Sequence, residues 1–267
     1  DVIDASKLLK TGHYSVLNDL CKGKNTSFQM LLEFLIWGKG QKAAGAGEHA
    51  LAILSQDISV AGVGDINVNG TAVELKVAET EGSGRLGEGG LSEDDLKSAL
   101  IQFPEVEQQV IDRMPQKSLN IFEFAKMIND IRVGERVEDP ETGDIRIEKP
   151  VPLDKARRTE IGKAIFPLVF GNDANDLIAT FAIPNVPPET VRLKYIETNF
   201  NWYKNSAMGG KWEVLVSMGF GKGTFIVART SEELMSLIKA KKLKRNTPYI
   251  IHGGRSPEMY FQPNPTK

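Results

Sequence analysis

The chain reads as an α/β protein, and three features of its sequence carry that reading. Of its 267 residues 41% are hydrophobic and 25% charged, the balance of a folded soluble protein long enough for one large α/β domain or two small ones. Apolar residues recur at helical spacing through 28–35 and again through 47–56. Residues 63–78 instead alternate apolar and polar about Asn69-Gly70, the strongest short-range hairpin signal a sequence offers.

Taken in order, Ser27 is placed to cap a helix carrying Phe28, Leu31, Leu32, Phe34 and Leu35, with Gly38 and Gly40 as its stop. Residues 1–44 therefore read as an N-terminal helical segment. The glycines and lysines of 38–47 suggest a mobile lead-in to a short helix at 47–56, with Glu48 in its first turn and Leu51 and Leu54 turned inward. Strands follow at 63–68 and 72–78. In the first, Ile66 and Val68 alternate with Asp65 and Asn67. In the second, Val73, Leu75 and Val77 alternate with Glu74 and Lys76, so the two charged residues share a face.

Five glycines in 82–90 predict a flexible loop, after which Ser92 caps a helix with Leu96, Leu100 and Phe103 on its inner stripe. A helix is expected at 118–132, an exposed hairpin at 134–150 turning near Thr142-Gly143, and a helix at 153–166. Beyond Gly171 the pattern shifts toward strands, at 177–183, 190–196, 212–219 and 223–228. The GFGKG between the last two reads as a hairpin turn, because it lacks the Lys-Ser/Thr ending of a phosphate loop. Ser231 caps a helix to about Lys241, and short strands near 248–252 and 258–261 close the chain. Residues 45–171 are thus read as a core and 172–267 as an α+β region that completes the core sheet or forms a recognition or assembly domain.

The bulk numbers exclude several function classes. A net charge of -2 gives no global attraction to nucleic acid, although a local basic track suffices for an enzyme. No run approaches the roughly 18 apolar residues of a membrane span. Cys21, the single cysteine, cannot form an intramolecular disulfide and fits a reducing, intracellular or cytoplasmic setting. With only His13, His49 and His252 beside it, a Cys/His zinc cluster is ruled out. The chain starts at Asp1 rather than Met, as a processed product or a fragment would.

The hairpin carries the chemistry. Magnesium takes oxygen ligands and keeps several waters, so one or two carboxylates anchor it beside a substrate phosphate. Asp65 and Glu74, on strands joined by a tight turn, can converge in that way. Lys76 shares the face of Glu74, and its ammonium can steady an attacking water or the charge that develops on phosphorus. Glu48, from the preceding helix, can add a ligand or orient the water. Glu-x-Lys alone is common on ordinary exposed strands; the helix acid, the first-strand Asp and the Asn-Gly turn single this copy out.

In that order, Glu48, Asp65 and Glu74-Leu75-Lys76 resemble the signature of the PD-(D/E)xK nuclease superfamily, the restriction-endonuclease-like fold. The resemblance covers roughly residues 45–105. It implies a mixed central sheet flanked by helices, with further α+β elements toward the C-terminus. It assigns Glu48, Asp65, Glu74 and Lys76 as the catalytic set, the three acids as ligands of Mg2+ (or Mn2+ in its place), and the helix at 92–103 to packing on the sheet near the DNA backbone. Gly64 stands where the nominal motif has proline.

Around this set, Arg85 in GSGRLG is a candidate phosphate contact on a loop able to close over substrate. Lys39 and Lys42 suit a track leading to the site, and Gln102 a contact from the following helix. Lys241, Lys242, Lys244 and Arg245 form the densest basic patch, although a helix C-terminus favours cations on structural grounds alone. Glu79 and Glu81 read as solvated acids. Trp202, Tyr203 and Trp212 can stack on bases but read first as core. The expectation is a Mg2+-dependent hydrolase of DNA, an endonuclease; the motif itself separates neither endonuclease from exonuclease nor DNA from structured RNA. The competing expectation is a nucleic-acid-binding or structural assembly protein of a phage or mobile element, virion-associated, using the same fold as a homo-oligomer or within a larger nucleoprotein assembly.

Overall fold

The structure, a computed structural model, describes residues 2–37, 45–78, 85–87, 93–113, 118–143, 145–206, 210–219, 223–245, 249–252 and 258–265. A 3-10 turn at Ala5–Leu9 leads into strand β1 (Gly12–Ser15), a π-helical turn at Val16–Leu20, and helices α1 (Thr26–Trp37) and α2 (Ala46–Leu54). Strands β2 (Ile58–Val60), β3 (Ile66–Val68), β4 (Thr71–Ala78) and β5 (Arg85–Gly87) follow. Next come α3 (Glu93–Leu100), α4 (Pro104–Ile111), β6 (Ser118–Asn120), α5 (Ile121–Asp130) and the hairpin of β7 (Arg132–Glu138) and β8 (Ile145–Pro152). Helices α6 (Lys155–Ile165), α7 (Pro167–Phe170), α8 (Asn175–Phe181) and α9 (Pro188–Asn205) come before β9 (Val214–Gly219) and β10 (Thr224–Ala228). Helix α10 (Ser231–Lys239) and strands β11 (Leu243–Arg245), β12 (Tyr249–His252) and β13 (Glu258–Pro263) complete the order.

These elements pack into two compact units, each discontinuous in sequence. Unit 1 takes Asp1–Leu86, Phe200–Asn246 and Met259–Lys267, and unit 2 takes Gly87–Asn199 and Thr247–Glu258. The segments 1–44, 45–171 and 172–267 read from the sequence all contribute to unit 1.

Unit 1 is built on a mixed sheet flanked by helices, in the order β1-β10-β9-β4-β3-β2. β4 and β9 run parallel, from Val73↔Val214 to Ala78↔Gly219, and the other neighbours are antiparallel. Parallel neighbours need a long crossover, and here it is the whole stretch from β4 to β9. The apolar face of β4, Val73 and Leu75, joins Val214, Val216, Phe225 and Val227 in a core that α2 closes through Leu51 and Leu54. Every residue of β9 and β10 is buried, which is why they read as predominantly apolar runs rather than alternating ones. On the opposite face, Ser217 donates to the Phe261 carbonyl at 3.4 Å and so ties in β13.

Several expectations meet the structure directly. Asn69 and Gly70 both have positive φ, 49° and 86°, at the centre of the β3–β4 turn. The 134–150 hairpin turns at Gly143, also with positive φ. The helix read at 153–166 is α6, capped by Asp154, which accepts the Arg157 N–H at 2.8 Å.

Other expectations are corrected. The N-terminal segment is not wholly helical: β1 pairs along β10 from Gly12↔Val227 to Ser15↔Thr224. A four-residue Gly-His-Tyr-Ser strand has no periodicity of its own, and it exists because the edge of β10 needs hydrogen-bond partners. The strands read at 177–183 and 190–196 are helices α8 and α9. Their buried residues, Leu177, Ile178 and Phe181, then Val191, Tyr195 and Ile196, recur at three- and four-residue steps, and Pro188 opens α9 at the first helical position. The first hairpin strand is only β3. The helix read at 118–132 divides into β6 and α5, where Asn120 caps by accepting the Glu123 N–H. The caps of two other helices shift: Asn25 rather than Ser27 accepts near α1, and Thr230 rather than Ser231 caps α10. Within the loop expected at 82–90, Arg85–Gly87 is a strand beside β13. The lead-in at 38–44, the cap Ser92, Glu79 and Glu81 lie outside the described residues.

In unit 2 Phe181 stacks on Phe124 and meets Phe166 edge-on, and the buried Arg158 guanidinium of α6 lies 5.1 Å from the Phe181 ring.

Candidate functional site

The site grows from the β3–β4 turn. With φ positive at both central residues, Asn69-Gly70 forms the tight turn whose twist matches the strands it joins. Asn67 Oδ1 accepts the Gly70 N–H at 2.7 Å and fixes the register Ile66↔Val73. At the far end of β3 the ladder breaks. Gly64, at φ 67°, turns the chain away, and the Asp65 N–H donates to the Val73 carbonyl at 2.9 Å. Asp65 Oδ2 then accepts the Leu75 N–H at 2.7 Å, so a side chain takes the place of a strand partner there. Asp65 is thereby held at the edge of β4, level with Glu74.

Glu74 and Lys76 project from the face of β4 opposite Val73 and Leu75. Glu74 is 4% exposed. Its Oε1 is ion-paired with Lys76 Nζ and also accepts from the Tyr203 hydroxyl at 3.3 Å. The Lys76 ammonium lies 5.8 Å from the centre of the Tyr203 ring, within cation–π range. Behind Tyr203 stands Trp212, 6.4 Å away between ring centres, itself edge-on to Phe200 at 5.3 Å. Burial pushes the Glu74 carboxyl above its usual range; Lys76 opposes that shift and Asp65 adds to it. Burial alone would lower Lys76, but Glu74, Tyr203 and Asp65 outweigh it and hold the ammonium above its ordinary value.

Glu48 is placed differently. It rides on α2, which lies on the other face of β4, with Gly47 close against Leu75 and Val77. Glu48 Oε1 accepts the Gly45 N–H at 2.8 Å, closing the first turn of its own helix. Burial raises its carboxyl, the Gly45 bond opposes this, and Asp65 raises it further. Asp65 is therefore the acid coupled electrostatically to both Glu48 and Glu74. Among the described residues no group of three or more His, Cys, Asp or Glu side chains lies in metal-holding geometry. The three-acid ligand set expected from the motif is not assembled as such. What is assembled is a desolvated carboxylate, Glu74, ion-paired with Lys76 and electrostatically coupled to Asp65, whose Oδ2 is engaged by the Leu75 N–H.

The expected nucleic-acid contacts scatter. Lys39 and Lys42 lie outside the described residues, as do the side chains of Arg85, Lys244 and Arg245. Gln102 belongs to unit 2, where its exposed side chain donates to the Ala99 carbonyl at 3.2 Å. Lys241 and Lys242 are exposed just past α10, and their carbonyls accept from Asn264. The basic run is thus a helix end, a turn and a strand rather than one helix terminus. Tyr203 is the site residue that the sequence reading left in the core. It is mostly buried, as read, yet its hydroxyl reaches Glu74 across 129 residues of sequence, a proximity no local pattern signals.

Compared with family models, with curated proteins and with solved structures, the chain finds no match.

Proposed function

We propose that this protein is a metal-dependent phosphodiester hydrolase of DNA, an endonuclease with a restriction-endonuclease-like core, whose site is Asp65, Glu74 and Lys76. The observation that carries the reading is Asp65 held on the N–H of Leu75, between Glu74 and Lys76 in sequence, and electrostatically coupled to that ion pair. The order of chemistry along the chain, helix acid, edge acid and Glu-x-Lys, supports it further.

Asp65 and Glu74 would hold Mg2+, or Mn2+ in its place; the ion would polarise the scissile phosphate and neutralise charge on the leaving oxygen. Lys76, kept protonated by its acidic surroundings, donates toward the charge that develops on the phosphate and orients the attacking water. The Tyr203 ring, backed by Trp212, stands beside Lys76 in surroundings largely withdrawn from water, which strengthens these electrostatics. Glu48 closes the first turn of α2 and contributes negative field rather than a ligand.

The test is cleavage of supercoiled, linear and branched DNA, and of structured RNA, with and without Mg2+ or Mn2+. Metal-dependent cleavage should fall by about 10²-fold or more in Asp65→Ala and in Lys76→Ala, each still folded. Cleavage that persists in both variants, or none by the wild type on any substrate, would sink the assignment. The second reading is a nucleic-acid-binding or assembly protein with a silent site, within a homo-oligomer or nucleoprotein particle, intracellular or virion-associated. Two observations favour it: Glu48 is engaged with its own helix, and Lys76 already neutralises Glu74. DNA binding without cleavage is its signature. Among the described residues no helix is long and apolar enough to cross a membrane.

A further inference from the structure

We infer that Tyr203 is a positioning residue for this site, restraining the Glu74 carboxylate through the oxygen that also pairs with Lys76. The inference rests on the metal-site reading above. Three contacts support it, all within unit 1. The Tyr203 hydroxyl donates to Glu74 Oε1, the same oxygen that pairs with Lys76, so both contacts meet on one carboxylate oxygen. The Tyr203 ring stands 5.8 Å from the Lys76 ammonium and limits where that side chain can go. Trp212, packed edge-on against Phe200, backs the tyrosine, and both rings are almost wholly buried.

A carboxylate with one oxygen tied to a phenol and an ammonium cannot rotate freely, and that restraint is what a small, geometry-demanding cation needs. Tyr203 comes from α9, whereas Glu74 and Lys76 come from β4. The helix thereby acts on the site through an outer hydrogen bond rather than through a ligand of its own. Outer partners of metal-binding carboxylates are typically worth about 10- to 100-fold in metal affinity.

The test uses the full chain and Mn2+ alone, with free Mn2+ read by electron paramagnetic resonance. Tyr203→Phe keeps the ring and removes only the hydroxyl; it should bind Mn2+ about tenfold more weakly. Its cleavage at limiting Mn2+ should fall in step and recover when Mn2+ is raised by the same factor. Phe200→Leu loosens the same aromatic cluster without touching Glu74; it should lower the melting midpoint while leaving Mn2+ affinity near wild type. Wild-type affinity in Tyr203→Phe overturns the positioning role and leaves the metal site standing. Equal weakening in Phe200→Leu also overturns it, because the effect would then be general loosening. Absence of Mn2+ binding by the wild type overturns the site and the inference together.

Discussion

At the scale of single residues, the Glu74–Lys76 pair is poised between two roles. Both side chains are largely withdrawn from water, with only a fifth of the Lys76 side chain and a twentieth of the Glu74 side chain exposed. An ion pair in such surroundings offsets its desolvation only while both partners are present. Lys76→Met alone should therefore destabilise the metal-free protein, by about 2 kcal/mol, less than for a fully buried pair because part of the lysine stays wet. The double variant Glu74→Gln, Lys76→Met should return to within about 1 kcal/mol of wild type, and urea unfolding of the cycle measures the difference. A double variant as unstable as the single one would show that the pair does not act as a unit. The Glu-x-Lys spacing was legible in sequence because strand alternation alone puts positions 74 and 76 on one face. Burial of that face was not legible, since it depends on Tyr203 and Trp212.

At the scale of elements, two glycines set where the acids stand. Gly64 is left-handed, and a Cβ there would meet the Val73 carbonyl oxygen at 2.8 Å. Gly64→Ala should cost about 2 kcal/mol or more, from left-handed strain of about 1–2 kcal/mol plus a backbone clash. Gly64→Pro, matching the nominal motif, should do worse, because proline fixes φ near −65° where the chain needs 67°. Equal stability of the proline variant and wild type, by chemical denaturation, would show that this turn is not as drawn. The β3–β4 turn itself was readable because Asn-Gly supplies both left-handed conformations locally. Helices α8 and α9 read as strands from the sequence because their apolar clusters suit either period. The three- and four-residue spacing emerges only once burial separates the inward residues from the rest.

At the scale of the molecule, contact in space and order in sequence part company. The sheet that carries Glu74 and Lys76 takes strands from residues 12–15, 58–78 and 214–228, and the parallel β4–β9 pair closes across the longest gap. A fragment spanning residues 45–171, the core read from the sequence, lacks β1, β9 and β10. It should show no cooperative thermal transition by far-UV circular dichroism, because β4 would be left with one neighbour and an uncovered apolar face. A cooperatively melting fragment would mean that the hairpin folds without its later partners. By itself the sequence determined the α/β character, the Asn-Gly turn, most helix spans outside 175–205 and the face shared by Glu74 and Lys76, all consequences of propensity and periodicity within a few residues. Only the tertiary structure decided that β1 joins the sheet, that Glu48 serves its own helix, that Asp65 replaces a strand partner of Leu75, and that Tyr203 meets Glu74. These are pairings of groups far apart in the chain, chosen by burial and hydrogen-bond satisfaction once the whole sheet exists, and no local pattern encodes them.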